Sequence, residues 1–179
     1  MSDRTSRNGE RGGAPVVKLS VLDRLIDEEP DKLRDVPMSS GESMAALRRN
    51  VRRDLEALLN TRRRWRSWPD RYAELRTSPM GYGISDFAAG AFNDLRRRDQ
   101  LRLEVEQAIR QFEPRLARVR VTLVERNNQL DATLRLRVDA LLRAEPAPEP
   151  IAFDALVDAA TTEIFVRTGS AHLLPTSDV

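Results

Sequence analysis

Leu130-Asp131-Ala132-Thr133-Leu134-Arg135-Leu136-Arg137-Val138-Asp139-Ala140-Leu141-Leu142 decides how this chain folds. Leu130, Ala132, Leu134, Leu136, Val138, Ala140 and Leu142 alternate with Asp131, Thr133, Arg135, Arg137 and Asp139. Successive side chains of a strand point to opposite faces, so a period of two gives one apolar face and one charged face. Wound as a helix, the same residues would scatter Leu and Arg around every side. Upstream, Val119, Val121 and Leu123 alternate with Arg118, Arg120 and Thr122, and Asn127-Asn128-Gln129 supplies a turn. The two stretches therefore predict an antiparallel hairpin. Downstream, Ile151, Phe153, Ala155 and Val157 alternate again, and Glu163-Ile164-Phe165-Val166-Arg167 follows, so two further strands are expected. Pro146, Pro148 and Pro150 read as a stiff spacer before them.

Before the hairpin the apolar period is 3.6. Met44, Leu47, Val51, Leu55, Leu58 and Leu59 form one stripe of a helix expected over 44–64, with Ser43 as its cap. Arg48, Arg49, Arg52 and Arg53 fall mostly off that stripe and read as a solvated face. Leu101, Val105, Ala108, Ile109 and Phe112 mark a second helix, capped by Asp99 and stopped by Pro114. Between the helices, Trp65, Trp68, Tyr72 and Tyr82 among five Pro and Gly breakers indicate an ordered, aromatic-anchored connection. The fold class is α+β: a small antiparallel sheet with two main amphipathic helices packed on one face. Residues 1–19 read as a disordered leader and 20–43 as an amphipathic docking segment. There Ser20 caps a short piece that Pro30 ends, and either its own domain or a partner could receive it. Residues 44–168 form the domain, and 169–179 a flexible tail.

Across 179 residues, 30 Lys+Arg face 28 Asp+Glu, a net charge of +2. Only Lys18 and Lys32 are lysines. The pI of about 9.5 therefore reflects guanidiniums, which titrate last, and not a strongly basic surface. A net +6 over residues 48–76 and +3 over 77–144 sits between acidic ends, −2 over 1–43 and −5 over 145–179. Such asymmetry points to partners or assembly. The absence of Cys excludes disulfides and thiol chemistry, and His172 alone makes no metal cluster. No apolar run approaches the roughly 18–20 residues that span a bilayer, and no segment argues for export. No phosphate loop, zinc spacing or nucleophile elbow occurs, so no cofactor is expected.

The sharpest cluster is Phe112-Glu113-Pro114-Arg115-Leu116, at the corner from helix to strand. One reading has Pro114 merely break the helix while the charges face water. The other has the rigid proline hold Glu113 and Arg115 splayed for charged contacts with a partner.

Glu113-Pro114-Arg115, followed by the Arg118-Val119-Arg120-Val121 strand, resembles the Glu-Pro-Arg signature of the contractile-tail baseplate wedge family, once labelled lysozyme-like. Ser20-Val21-Leu22-Asp23-Arg24-Leu25 is similar to the leader of its type VI secretion branch, the TssE subunits. Leu58-Leu59-Asn60-Thr61-Arg62 resembles the family's helix end, and Tyr82-Gly83-Ile84-Ser85-Asp86-Phe87 its turn, with Ile84-Ser85 in place of Leu-Pro. The similarity runs over about residues 20–167. The resemblance implies a structural, non-enzymatic subunit that binds baseplate wedge subunits and templates the polymerisation of sheath subunits. It implies a cytoplasmic protein recruited to a baseplate docked at the inner membrane. The expected partner-binding residues are Glu113, Pro114, Arg115, Arg118, Arg120, Leu22 and Leu25, with Tyr82, Gly83, Asp86 and Phe87 forming a structural turn. The strand region 130–142 is the expected sheath template.

Two other classes compete. A peptidoglycan-cleaving enzyme would use Glu113 as its acid, but a neighbouring guanidinium favours the carboxylate over the protonated form such an acid needs. An Arg-rich nucleic-acid module would use Arg48 to Arg66 with Trp65 and Trp68, but Asp54 and Glu56 interrupt that run. The arginines are read instead as facing protein.

Overall fold

Four strands follow one another in a meander: β1 (Leu116–Val124), β2 (Leu134–Leu142), β3 (Glu149–Val157) and β4 (Ile164–Gly169). Each is antiparallel to the next, so the expected sheet forms with β1 and β4 at its edges. The computed structural model describes residues 20–25, 31, 39–63, 69–87, 94–124, 133–144, 147–158 and 161–170. The turn at 127–129, the strand residues 130–132, and Trp65 and Trp68 lie outside them.

Alternation becomes burial in β2. Leu134, Leu136, Val138, Ala140 and Leu142 enter the core, while Arg135 is exposed. On the outer face, pairing sets Arg137 beside Asp154 and Asp154 beside Arg167, while Arg120 stands opposite Asp139. Opposite charges on neighbouring strands offset one another across this face. Pro150 does not belong to a spacer: it sits inside β3 opposite Leu141. The strand periodicity carries through the proline, so the link from β2 to β3 is short.

Helix α2 (Ser40–Asn60) begins four residues before the expected start. Ser39, not Ser43, is the cap. Its Oγ accepts from Glu42 N at 3.3 Å, and the Glu42 carboxylate accepts from Ser39 N at 2.8 Å. This reciprocal box needs a glutamate three residues after the cap, which Ser43 lacks. Met44, Leu47, Val51, Leu55, Leu58 and Leu59 are all buried, as their spacing predicts. Helix α3 (Leu95–Phe112) likewise starts earlier than expected, because Asp94 and not Asp99 accepts at its first turn. Asp99 instead pairs with Arg102 at 2.7 Å. Helix α3 lies against β1, α2 lies against β4, and both enter one core with the sheet. A short helix α1 (Val21–Leu25) precedes them, capped by Ser20.

Two irregularities shape the corner. The β1–β2 register shifts between Ala117 and Arg120, a bulge in which Arg118 takes a left-handed φ of 49°. The connection between helices contains two 3-10 turns, Asp70–Arg76 and Pro79–Gly81. Its two tyrosines differ. Tyr72 is 48% exposed, whereas Tyr82 packs edge-on against Phe112 at 5.2 Å.

Helix side chains cap part of each sheet edge. On β4, Asn60 accepts from Ile164 N and donates to Ile164 O, each at 2.8 Å, and Arg52 donates to Val166 O at 3.3 Å. On β1, Val121 N donates to Glu106 at 2.9 Å, while Arg110 donates to Val119 O at 2.7 Å and Arg102 to Val121 O at 3.3 Å. Unpaired edges template further pairing, and these caps occupy Ile164 N and O and Val166 O on β4, and Val119 O and Val121 N and O on β1.

Candidate functional site

The Glu113–Pro114–Arg115 corner is built where α3 stops. Glu113 N makes the last helical bond, to Ile109 O at 2.9 Å, and Leu116 N closes a turn onto Glu113 O at 3.1 Å. That tight turn does not splay the two charges. Arg115 curls back, and its Nε and Nη2 reach the two Glu113 oxygens at 2.6 and 2.5 Å. This fork-on-carboxylate geometry is the strong form of an ion pair.

The pair sits inside a larger cluster. Arg115 Nη2 also donates to Asp54 on α2 at 2.5 Å, and Nη1 lies 3.4 Å from Asp23 on α1. Arg53 binds Asp23 and Asp54, each at 2.8 Å. The Asp23 side chain is 0% exposed, that of Glu113 5% and that of Arg115 18%. Burial works to raise the Asp23 carboxyl, but hydrogen bonds from Ser20 and Arg53 outweigh it and hold it below the ordinary value. Burial works to lower the Arg115 guanidinium, yet Glu113 and Asp54 raise it overall, so it is permanently charged. Tyr82 is pushed up, first by burial and then by the negative charge of Asp54 and Glu113.

The other expected site residues divide in two. Pro114, Arg118 and Arg120 are exposed along the corner and the first half of β1. Leu22 and Leu25 are 58% and 76% exposed. The turn residues instead hold the helix end. Ile84 N donates to Thr61 O at 3.0 Å, Arg63 N donates to Ile84 O at 2.7 Å, and Arg62 stacks over the Phe87 ring at 4.6 Å. Gly83 has φ 102°, and a Cβ there would run into the Thr61 carbonyl. Ser85, standing where the resemblance has proline, donates both N–H and Oγ–H to Glu104, at 2.7 and 2.5 Å. A proline could not donate the first of these bonds, so this chain locks the turn by a different device. Asp86 is exposed.

The family profile described as baseplate wedge protein gp25 matches residues 45–147. The chain belongs to the baseplate wedge protein gp25 family. That span covers most of α2, the turn, α3, the corner and the first two strands, so the buried cluster stands mostly within it. No curated protein matches the chain. Family membership carries a structural role in a contractile-tail baseplate, assembled through protein–protein contacts. Among the described residues, no helix is long and apolar enough to cross a membrane.

Sequence reasoning missed Arg53, Asp54 and Asp23 as members of this site, although Asp23 and Asp54 stood in stretches it quoted. Periodicity marks which residues are buried, but a charged residue bonded across 92 positions of sequence leaves no periodic trace.

Proposed function

We propose that this baseplate wedge protein is a subunit of the type VI secretion branch that joins wedge subunits through its Glu113–Pro114–Arg115 corner and its leader. The observation that carries the reading is the cluster itself. It fixes the helix–strand corner against α2, with α1 docked on it through Asp23 and exposed Pro114, Arg118 and Arg120 beside it. A charged platform held by internal ion pairs keeps its shape before a partner arrives, which lowers the ordering cost of binding. Leu22 and Leu25 offer apolar contacts next to it. The subunit acts in the cytoplasm and is recruited to a baseplate docked at the inner membrane.

The sheet serves as the template for the sheath. β2 has β1 and β3 on its two sides, so it cannot itself receive a strand. The acceptor is an edge, β1 or β4, and a sheath strand displaces the side chains that cap it. We read the role as structural; Arg115 engages both Glu113 oxygens, which speaks against Glu113 as the acid of a lysozyme-like reaction.

Co-expression with wedge subunits tests the reading. Arg118→Glu combined with Arg120→Glu, at exposed positions beside the cluster, is expected to abolish co-purification while leaving a folded monomer by circular dichroism. Survival of the complex would show that the corner is not the interface. Peptidoglycan turnover lost in Glu113→Gln would replace the structural role with a catalytic one.

A further inference from the structure

Helix α1 is attached in an unusual sense: its polar residue is buried and its apolar residues face out. The Asp23 side chain is 0% exposed, whereas Val21, Leu22 and Leu25 are 73%, 58% and 76% exposed as whole residues. A helix of five residues is too short to persist by itself. Among the described residues, the hydrogen bonds that tie it to the domain are those of Asp23, to Arg53 at 2.8 Å and to Arg115 at 3.4 Å. Among the described residues its attachment is therefore one carboxylate in a two-arginine site, with Val21, Leu22 and Leu25 left exposed.

The charge count of that site is uneven. Asp23, Asp54 and Glu113 supply three carboxylates to two guanidiniums, Arg53 and Arg115. Without Asp23 the remaining four groups balance. Arg115 keeps Glu113 and Asp54, both nearer than Asp23, and Arg53 keeps Asp54. Departure of α1 thus strands neither arginine, which is the condition that makes a buried ion pair costly to break. It uncovers Arg115 Nη1 and a face of Arg53, two donors set to receive a carboxylate.

We propose that α1 is a releasable strap whose Asp23 occupies a carboxylate site on Arg53 and Arg115, and that a carboxylate of an assembling protein subunit takes its place. The inference rests on the reading of the corner as a wedge interface and adds that the interface is partly filled from within the chain. Release frees Val21, Leu22 and Leu25 together with Asp23, so the same step that opens the corner hands over an apolar segment.

The test uses the full chain and its wedge subunits, following residues 20–25 by hydrogen exchange. These residues are expected to be protected in the free chain and to change partner on assembly. Asp23→Asn is expected to abolish their protection in the free chain, leave α2 and α3 unchanged, and tighten wedge binding roughly tenfold, because a competitor held in place about ten times in eleven has been removed. Binding that is weaker or unchanged in Asp23→Asn would overturn the strap, as would Asp23 still bonded to Arg115 in a structure of the complex. Arg118→Glu and Arg120→Glu, at exposed positions of the corner outside the strap site, separate this outcome from failure of the interface. If both bind like the unaltered chain, the corner is not the interface. If both lose binding while Asp23→Asn also weakens it, the interface stands and the strap alone fails.

Discussion

Asn60 treats Ile164 as a neighbouring strand would, accepting from its N–H and donating to its carbonyl, both at 2.8 Å. The same amide donates to Glu56 O at 2.9 Å, so its orientation is fixed by its own helix. Asn60→Ala leaves both groups of an edge residue without this partner, at a cost of about 1–3 kcal/mol. Urea denaturation is expected to show that loss, and gel filtration to show larger species as the opened edge pairs with another copy. Unchanged stability would mean that water replaces the amide without penalty.

Gly83 tests the turn that seats this helix end. Its φ of 102° is one that side chains rarely adopt, and a methyl group would meet the Thr61 carbonyl. That carbonyl accepts from Ile84 N, so backing away breaks the bond that holds the turn to α2. Gly83→Ala combines backbone strain with a lost buried bond, for an expected loss of roughly 2–4 kcal/mol. Thermal unfolding measures it, and a shift in midpoint of under a degree would refute the account.

The period-two stretches gave the strands, and the 3.6-residue stripes gave α2 and α3, because burial of one face is written in local spacing. Val138 and Val105 needed no knowledge of the rest of the chain to be placed in a core. Helix starts were less legible. Ser43 and Ser39 both precede the Met44 stripe, and only the reciprocal bond with Glu42 distinguishes them. The site was legible as residue types at a corner and not as an arrangement. Arg115 had neighbours in sequence that suggested outward charge, while its partners Asp54 and Asp23 lie 61 and 92 residues away. The same holds for the edge caps: Arg52, Arg102 and Arg110 look like a solvated face until the strand beside each is known.

Arg118 carries backbone strain that glycine would remove. It sits in the bulge with φ 49°, and its side chain is exposed. A left-handed non-glycine residue costs roughly 1–2 kcal/mol, and glycine's greater freedom when unfolded returns part of any gain. Arg118→Gly is therefore expected to raise stability by about 0.5–1 kcal/mol in denaturant titration. If the same variant weakens wedge binding, the strain is retained to present an arginine at the corner. A destabilised variant would show that the guanidinium makes contacts that outweigh the strain.

Tyr82 reports on the cluster from its apolar side. Burial and the charges of Asp54 and Glu113 push its hydroxyl up, whereas Tyr72 is half exposed. In Tyr72→Phe, which leaves Tyr82 as the one tyrosine of the sequence, ultraviolet titration is expected to place the phenol step above the ordinary value of about 10. A step at the ordinary value would mean that the packing against Phe112 opens readily.

Acid should detach α1 before it unfolds the sheet. The Asp23 carboxyl is held below its ordinary value by Ser20 and Arg53 despite burial, so its folded pKa lies under its unfolded one. A carboxylate of this kind contributes stability that is present above the unfolded pKa of about 4 and is lost as pH falls through the folded value. The attachment is therefore expected to be intact from neutral pH down to about pH 4 and to fail below it. Sheet and helix packing rests on Leu136, Val138, Phe153 and Leu55, which do not titrate. Nitrogen-15 chemical shifts of residues 20–25 should move to unfolded positions at a pH where those of β2 are unchanged. In Asp23→Asn they should already be there at neutral pH. A single transition shared by α1 and β2 would show that something other than the Asp23 carboxylate holds the helix.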